Sequence, residues 1–424
     1  MGAEVATRTS QPGQFRVGVV AVGDEILEGR IQESHGRTIS NLLTPLGFKI
    51  AWHLTVADAP GALETALKTP PSAADLIIIT GGLGPTADDR TRQEIANAAG
   101  VPLEEDDRCW QRIRTYLEER GVSPALCNRQ QAFRPKGSDW LENDQGTAPG
   151  LKTELPGGVI SFALPGVPVE FDAMFQRHLL PWARERSGEV TEGEILEFVA
   201  IPESELDEWI VEQLGRGDSH HICVKGTSQI EVRLPLGVSL KEAAAERFQS
   251  RFSGLGGIGT EGHLVRAAGA AGQTLVLAES CTGGMISSRI TDVSGSSEVF
   301  LGGWNCYSNA MKVSELAVSP SLIDGSGAVS AEVVEALAVA ARQRSGADLA
   351  LSASGVAGPT GGTEKNPVGT VWMGLASAAG VRSHRYQWTG NRLRIREMAT
   401  QYALHALLAM VRGQEIHGWP SLRS

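Results

Sequence analysis

Three side chains that can act as nucleophiles or hydrogen-bond partners stand together in the run LVLAESCTGGMISSRI. An apolar segment ends there at Ser280, Cys281 and Thr282, and helical spacing resumes after two glycines. A serine hydroxyl attacks at neutral pH only when a base lies within hydrogen-bond reach. Free amides at the start of a helix would stabilise the oxyanion formed by such an attack. The pattern is compatible with a serine nucleophile, a phosphate-binding turn or a purely structural turn.

The base that Ser280 would need is best supplied by Lys312. The last block of the chain has four histidines, none at the end of a predicted strand: His263, His384, His405 and His417. Lys312, in YSNAMK, lies one turn inside a helix that we expect to begin near Ser308, and a desolvated lysine is less strongly protonated. Ser–Lys pairs are an established alternative to the histidine triad. The spacing also fits an exposed lysine, and Cys281 fits either a buried packing residue or a rival nucleophile.

Two further segments of this block carry groups that can bind an anion. The loop SGVAGPTGG places Thr360 and several glycine amides after a predicted strand, a pattern that also fits a tight turn. Arg392, Arg394 and Arg396 begin the closing helix, where they would either hold a phosphate bidentately or form a solvated face.

The N-terminal block gathers carboxylates and glycines at the ends of its predicted strands. GDEIL places Asp24 after the first strand, and TGGLGPTADDRTRQ places Asp88 and Asp89 after the third. Carboxylates at one sheet edge suit a hard divalent cation, although Asp88 and Asp89 fit helix capping equally well. The second loop offers glycine amides for a phosphate or pyrophosphate, at Gly81, Gly82 and Gly84.

Strands that alternate with helices would position both sets of loops. FRVGVVAVG, FKIAWHLTVAD and ADLIIIT are predicted strands with helical segments between them, which favours a parallel sheet covered on both faces. The last block alternates similarly and ends with a hairpin-like pair and a long helix. Ligands of such sheets bind beyond the carboxyl ends of the strands, where these loops fall. Between the blocks, a small α+β module without clustered reactive residues predicts a connecting role.

Composition narrows the class of protein. A chain of 424 residues predicts two or three domains, and a hydrophobic content of 42% predicts packed cores. A formal charge of −11 disfavours direct binding to a nucleic-acid backbone. The five scattered cysteines include no Cys-x-x-Cys pair and therefore predict neither a disulfide framework nor a zinc site. With no signal-peptide pattern and no run of membrane-spanning length, a cytoplasmic location is expected.

Five stretches of the last block resemble, in sequence and order, the C-terminal domain of the CinA family: AESCTGG, GSSEVFLGGWNCYSNAMK, GAVSAEV, SGVAGPTGG and NPVGTVW. Members of that family are nicotinamide-nucleotide amidases. The resemblance implies hydrolysis of nicotinamide mononucleotide to nicotinate mononucleotide and ammonia, without a cofactor. It implies Ser280 as the nucleophile, with Tyr307 and Lys312 as its activating partners. Substrate-binding residues are expected in the same loops and in the closing helix: Glu279, Thr282, Gly283, Gly358, Thr360, Arg392 and Arg396.

The N-terminal block resembles the molybdopterin-binding fold of the MoaB and MogA type, in the form that begins CinA proteins. The two Gly-rich loops carry this resemblance together with NDQGTAPG and LPGVPVEF. It implies ADP-ribose pyrophosphatase activity that depends on a divalent metal, held by the aspartates named above, rather than molybdenum cofactor synthesis. The chain departs from the pattern at Glu33-Ser34-His35, where the family typically has Asn-Thr-Asn. This departure favours a front domain that binds a nucleotide without hydrolysing it.

We therefore predict two α/β domains joined by a small α+β module: a molybdopterin-binding-like domain over 14–180, the module over 184–257 and a CinA amidase domain over 262–413. The expected function is pyridine-nucleotide salvage, by an amidase with a second, pyrophosphatase activity in its front domain. There are two alternatives. One is an amidase whose front domain binds a nucleotide without catalysis, and the other is an interaction protein that functions in competence or the response to DNA damage. The resemblance also implies a homodimer. Membrane binding is not expected, and direct contact with nucleic acid is disfavoured because no basic, aromatic-interleaved patch is present.

Overall fold

A computed structural model describes residues 15–187, 193–215, 220–235, 237–416 and 418–420. The chain divides into two units, Met1–Glu192 and Gly193–Ser424. The segment predicted as a connecting module therefore belongs, from Gly193 onward, to the same unit as the C-terminal domain. Within the described ranges, no helix is both long enough and apolar enough to cross a membrane.

The first unit alternates strands and helices. Its strands are β1 (Arg16–Val22), β2 (Lys49–Val56), β3 (Leu76–Thr80), β4 (Leu103–Glu105), β5 (Phe133–Pro135), β6 (Asp139–Leu141), β7 (Gly150–Leu155) and β8 (Val159–Leu164). Its α-helices are α1 (Asp24–Leu27), α2 (His35–Leu43), α3 (Ala62–Lys68), α4 (Thr91–Ala99), α5 (Asp107–Glu118), α6 (Pro168–Met174) and α7 (Leu180–Arg186). Thr44–Leu46 and Leu126–Ala132 form 3₁₀ turns, and Phe175–Leu179 forms a π-helical turn between α6 and α7.

A six-stranded sheet in the order β2-β1-β3-β8-β7-β6 organises this unit. The first four strands in that order are parallel, whereas β7 and β6 run antiparallel to their neighbours, so the predicted parallel sheet is in fact mixed. Every residue of β3, with the sequence LIIIT, is buried, as expected for a central strand covered on both faces. The loops after β1, β3 and β8 consequently meet at one edge.

The second unit contains a small sheet and a larger one. Its strands are β9 (Ile195–Val199), β10 (His221–Lys225), β11 (Gln229–Arg233), β12 (Phe252–Leu255), β13 (Leu275–Glu279), β14 (Phe300–Asn305), β15 (Leu349–Gly355), β16 (Thr370–Ser377) and β17 (Gly380–Gln387). Its α-helices are α8 (Glu203–Leu214), α9 (Lys241–Phe248), α10 (Gly259–Ala271), α11 (Met285–Thr291), α12 (Asn309–Leu316), α13 (Pro320–Ser326), α14 (Ala331–Ser345) and α15 (Arg392–Val411). Two 3₁₀ turns lie at Gln249–Arg251 and Ser296–Glu298.

The larger sheet has the order β14-β13-β15-β16-β17. Its first three strands are parallel, and β16 and β17 form the predicted antiparallel hairpin. Apolar side chains of β13, β15 and β16 pack against α10 and α15 on one face, and others pack against α12 and α14 on the opposite face. The carboxyl ends of β13, β14 and β15 thus lie side by side.

The small sheet, in the order β10-β11-β9-β12, is tied to the C-terminal domain by a buried carboxylate. Glu197 on β9 is 1% exposed, and it accepts hydrogen bonds from the amides of Ile258 and Gly259 at 3.0 Å and from His263 Nε2 at 2.8 Å. Burial alone would raise the pKa of Glu197, but the bonds from His263 and these amides hold it below its ordinary value. The carboxylate therefore anchors the first turn of α10.

Replacement of Glu197 by alanine is expected to lower the free energy of unfolding of the second unit by about 3 kcal/mol, because His263 and two amides lose a buried acceptor. Chemical denaturation followed by circular dichroism measures the change. Glu208→Ala removes an exposed carboxylate from α8 and serves as the control. Equal stability of the two variants would contradict the anchoring role.

Candidate active site

Ser280 lies immediately after β13, in a tight turn at the carboxyl edge of the larger sheet. Its amide donates to the carbonyl of Ala353 at 3.0 Å, and its own carbonyl accepts from the amide of Gly283 at 3.1 Å. Gly283 and Gly284 have φ values of 61° and 89°, in the left-handed region that glycine enters at little cost. These glycines let the chain turn directly after the serine, which is mostly buried.

Lys312 reaches this serine from α12. The side chain of Ser308 accepts from the amide of Met311 and caps the helix, which begins at Asn309 as the spacing predicted. Lys312 is 2% exposed, and its Nζ donates to Ser280 Oγ at 3.3 Å and to the carbonyl of Cys306 at 2.9 Å. The alternative of an exposed surface lysine is therefore wrong.

The surroundings of Lys312 lower the proton affinity of its amine. Neither hydrogen-bond partner of its Nζ is a carboxylate, so the buried ammonium has no counter-charge among the described hydrogen bonds and ion pairs. Burial accordingly lowers the pKa of Lys312 from the ordinary lysine value of 10.5. A lysine in this state can accept the hydroxyl proton of Ser280.

Glu279 organises the turn and the start of α11. One carboxylate oxygen accepts from the amides of Gly284 and Ile286 at 3.0 and 3.1 Å, and the other accepts from the amide and hydroxyl of Ser287 at 2.9 and 2.6 Å. The sequence predicted that free amides of this helix would stabilise an oxyanion, but these amides are already bound to Glu279. The carboxylate is 2% exposed and shapes the turn from within.

Cys281 lies in the apolar core beneath α15. It is 6% exposed and packs within the cluster formed by β13, β15 and α15. Burial raises the pKa of its thiol to about 12. At neutral pH the thiolate is therefore negligibly populated, and thiolate is the nucleophilic form of cysteine. The packing interpretation fits the structure better than the rival nucleophile.

Arg392 joins the loops that follow β14 and β15, the two strands that flank β13 in the sheet. Its Nη2 donates to the hydroxyl of Tyr307 at 2.7 Å, and its Nη1 donates to the carbonyl of Gly358 at 3.0 Å. Tyr307 is 59% exposed, and its described hydrogen bond is with this arginine rather than with Ser280 or Lys312. The tyrosine thus lies at the rim of the site, and Thr360, in the loop after β15, is also exposed.

Arg396, one turn further along α15, holds the serine turn itself. Its Nη2 donates to the carbonyl of Thr282 at 2.7 Å. Thr282 is fully buried, and its hydroxyl has no hydrogen-bond partner within the described part of the chain. Arg394 is exposed and makes no described side-chain hydrogen bond, which agrees with a solvated position. The three arginines that the sequence grouped together therefore differ in their contacts: Arg392 binds the rim, Arg396 binds the serine turn and Arg394 is solvated.

The first unit has a cleft of about 680 Å³ at the carboxyl edge of its sheet. Its lining includes the three glycines predicted to hold a phosphate, namely Gly81, Gly82 and Gly84. Two of their amides are already used, since Gly81 donates to the carbonyl of Leu164 at 3.0 Å and Gly84 donates to Asp89 at 2.8 Å. The cleft forms where the sequence placed it, but its glycine loop is closed by internal hydrogen bonds.

The predicted metal ligands Asp24, Asp88 and Asp89 are not brought together as a ligand set. Among the described residues, no group of three His, Cys, Asp or Glu side chains is arranged to hold a metal ion. Asp89 accepts from the amides of Gly84 and Thr86, both at 2.8 Å, and so closes the loop rather than facing a cation. These residues do not fit the expected divalent metal. The helix-capping alternative for Asp89 is also wrong, because Arg90 is the N-cap residue of α4 and no side chain makes a cap hydrogen bond there.

Sequence reasoning missed Asp58, which follows β2 at the same edge as Asp24. The amide of Asp24 donates to Asp58 at 2.9 Å, and the amide of Asp58 donates to Asp24 at 3.3 Å. Burial, together with the nearby carboxylates of Asp24, Glu25 and Asp88, raises the pKa of Asp58. The available signal was its position just after a predicted strand whose carboxyl end points to this edge.

Comparison with known proteins identifies both units. A model of the CinA C-terminal domain matches residues 259–411, and a model described as a probable molybdopterin binding domain matches residues 18–185. A putative competence-damage inducible protein from Caldicellulosiruptor saccharolyticus is 36% identical over 401 residues, which span 92% of this chain and 97% of that protein. A CinA-like protein from Myxococcus xanthus is 37% identical over 415 residues, which span 93% and 97% respectively. The chain belongs to the CinA family.

Solved structures resemble single parts of this CinA-family chain. A competence/damage inducible protein from Agrobacterium tumefaciens is 34% identical, with a TM-score of 0.35, and covers 36% of this chain and 96% of its own length. The molybdopterin biosynthesis enzyme MoaB from Thermus thermophilus is 21% identical, with a TM-score of 0.26, over 40% of this chain and 97% of its own. The family prediction and the prediction of two α/β domains are confirmed.

The departure from the CinA pattern at Glu33-Ser34-His35 lies in the wall of the first unit's cleft. Glu33 accepts from the amide of Gly36 at 2.9 and 3.2 Å and thereby caps the start of α2. The ring of His35 packs on Phe171 with centroids 4.3 Å apart, and burial lowers the pKa of this histidine. Glu33 and His35 thus stabilise the wall of the cleft.

Proposed function

We propose that the C-terminal domain hydrolyses the carboxamide of nicotinamide mononucleotide to give nicotinate mononucleotide and ammonia. The observation that carries this proposal is the buried Lys312 Nζ, 3.3 Å from Ser280 Oγ and without a carboxylate partner. A serine with such a base is suited to acyl transfer. The substrate itself is inferred from membership of the CinA family, because the geometry supports an amidase without specifying its amide.

In the first half-reaction, neutral Lys312 accepts the proton of Ser280 as Oγ attacks the carboxamide carbon. The carbonyl oxygen then carries the negative charge of a tetrahedral intermediate. Within the described chain, the amides of Cys281 and Thr282 donate to no oxygen, and they lie beside the serine. These two amides are the available donors for that oxyanion, in place of the helix amides occupied by Glu279.

Collapse of the intermediate breaks the carbon–nitrogen bond. Lys312, now an ammonium, returns its proton to the departing nitrogen, and ammonia leaves an ester on Ser280. A water molecule then attacks the ester while Lys312 again acts as the base, which releases nicotinate mononucleotide and restores the serine. At the rim, Arg392 is exposed beside Tyr307 and Gly358, a position from which a guanidinium can bind the substrate phosphate.

Ser280→Ala is expected to lower kcat for ammonia release from nicotinamide mononucleotide roughly a thousandfold or more, because the attacking atom is lost. Cys281→Ala is the matched control, since its neighbouring thiol is buried and protonated, and it should retain most of the activity. A coupled ammonia assay on folded variants makes the comparison. Full activity of Ser280→Ala would eliminate the proposed nucleophile, and an inactive wild-type enzyme would eliminate the proposed substrate.

Lys312→Met is expected to reduce kcat about a hundredfold or more because the general base is lost. For the wild type, kcat/KM should rise with pH as Lys312 loses its proton, with a midpoint below the ordinary lysine value of 10.5. Lys312→Arg keeps a charge that cannot be removed in this range and should be inactive throughout. A pH profile without this rise, or an active Lys312→Arg, would contradict the assignment.

The same pKa shift predicts the stability of these variants. The folded protein binds the Lys312 proton less tightly than the unfolded chain does, so this group destabilises the fold at pH values below its lowered pKa. That cost disappears as the pH rises to 10.5. Lys312→Met should therefore melt at or above the wild-type Tm at pH 7, and its advantage should shrink at higher pH.

For the first unit we propose nucleotide binding, with ADP-ribose as the ligand, and we derive no hydrolytic step through a metal. The closed Asp89 loop and the absence of a three-residue ligand set among the described residues favour binding without turnover. Calorimetry with ADP-ribose should detect binding, whereas turnover with Mg²⁺, Mn²⁺ or Co²⁺ should stay at background. Metal-dependent release of AMP would instead establish the pyrophosphatase activity implied by the resemblance.

A further inference from the structure

The turn between β10 and β11 presses two hydroxyl groups onto α15. Thr227 Oγ1 donates to Glu397 Oε2 at 2.9 Å, and Ser228 Oγ lies 3.2 Å from Met398 Sδ. The Ser228 hydroxyl also hydrogen-bonds Tyr402, one helical turn beyond Met398. Three positions on one side of the helix are thus held by a hairpin that belongs to the connecting module.

The backbone of this turn is strained at one of these two residues. Gly226 and Ser228 both have left-handed conformations, with φ values of 62° and 61°. Glycine accepts this conformation freely, whereas for a residue with a Cβ it costs about 1 kcal/mol or more. A serine at position 228 therefore needs contacts that offset the strain, and the contacts that its side chain makes are those with α15.

The same stretch of α15 holds the proposed active site. Arg396, which donates to the carbonyl of Thr282 in the serine turn, directly precedes Glu397 in the helix. Arg392, one turn earlier, binds the rim residues Tyr307 and Gly358. Any shift of the helix at its contact with the hairpin would move these guanidinium groups by a similar amount.

The module also fixes the opposite end of the helix, and neighbouring helices fix its middle. Arg412, just after α15, donates to the carbonyls of Phe252 and Ser253 on β12, the second at 2.6 Å. Near the centre, Gln401 accepts from Arg289 of α11 at 2.7 Å and donates to Thr260 of α10 at 2.8 Å. The helix therefore lies in a frame supplied partly by the module and partly by the helix that follows the serine turn.

We propose that the connecting module is a positioning element of the amidase: its hairpin sets α15, and through Arg396 it sets the turn that carries Ser280. Thr227 and Ser228 are positioning residues in this proposal, because neither touches the reacting atoms. The inference rests on the proposed amidase function for its kinetic consequence. Its structural consequence, a serine turn stiffened by a distant hairpin, does not depend on which substrate the site accepts.

The test is the double variant Thr227→Val/Ser228→Gly in the full-length protein. Valine keeps the volume of the threonine without its hydroxyl, and glycine removes the contacts of Ser228 while relieving the backbone strain, so the hairpin should still fold. We expect kcat for nicotinamide mononucleotide to fall roughly tenfold, and KM to rise as well, because Arg392 is carried by the same helix. Hydrogen–deuterium exchange should become faster in the peptide that contains residues 280–284.

Two variants separate positioning from general destabilisation. Thr227→Ser keeps the hydroxyl and should have the kcat and the exchange rate of wild type. Thr227→Val lacks the hydroxyl and should have a lower kcat and faster exchange. Val224→Ala changes an exposed side chain of β10 and should leave both unchanged. Wild-type exchange of the serine turn in the double variant would overturn the inference whatever the enzyme hydrolyses. Absence of deamidation by the wild type would overturn only the proposed function, because the exchange comparison would still decide the inference.

Discussion

The proposed chemistry of the second unit depends on the burial of one amine that has no counter-charge among the described ion pairs. Lys312 is 2% exposed and directs two of its hydrogen bonds to a hydroxyl and a carbonyl. Burial of an ion at this position is unfavourable, and this desolvation lowers the pKa of Lys312. A carboxylate partner would have stabilised the fold, but it would also have kept the lysine protonated. The arrangement thus costs stability and lowers the pH at which the lysine loses its proton.

In the first unit, by contrast, the charged side chains at the sheet edge have hydrogen-bond partners within the unit. There the carboxylates at the sheet edge satisfy each other's backbone amides, as Asp24 and Asp58 do. Asp89 similarly fills the concave side of the Gly-rich loop, where the amides would otherwise face an anion. The same topological position, beyond the carboxyl ends of parallel strands, therefore holds a Ser280–Lys312 hydrogen bond in one unit and carboxylates bonded to backbone amides in the other.

The sequence was sufficient for the features that follow from periodicity and from strand ends. Alternating elements predicted both sheets, and the helix start at Ser308 placed Lys312 where α12 carries it. It was insufficient for long-range contacts. Nothing local indicates that Glu279 binds the amides at the start of α11, or that Arg396 rather than Arg394 reaches the turn. Those outcomes depend on the rotation of each helix about its axis, which is fixed by packing.

Helix rotation also explains why the module matters to a site that it does not enter. Helix α15 buries a broad face, so apolar packing alone permits small rotations and slides along the sheet. Directional bonds remove that freedom: Thr227 and Ser228 fix one side of the helix, and Arg412 fixes its end. Because Arg396 is adjacent to Glu397, the angle that the hairpin sets is also the angle at which the guanidinium meets the serine turn. A segment whose sequence indicated only a connection therefore helps to set the geometry of the turn that carries Ser280.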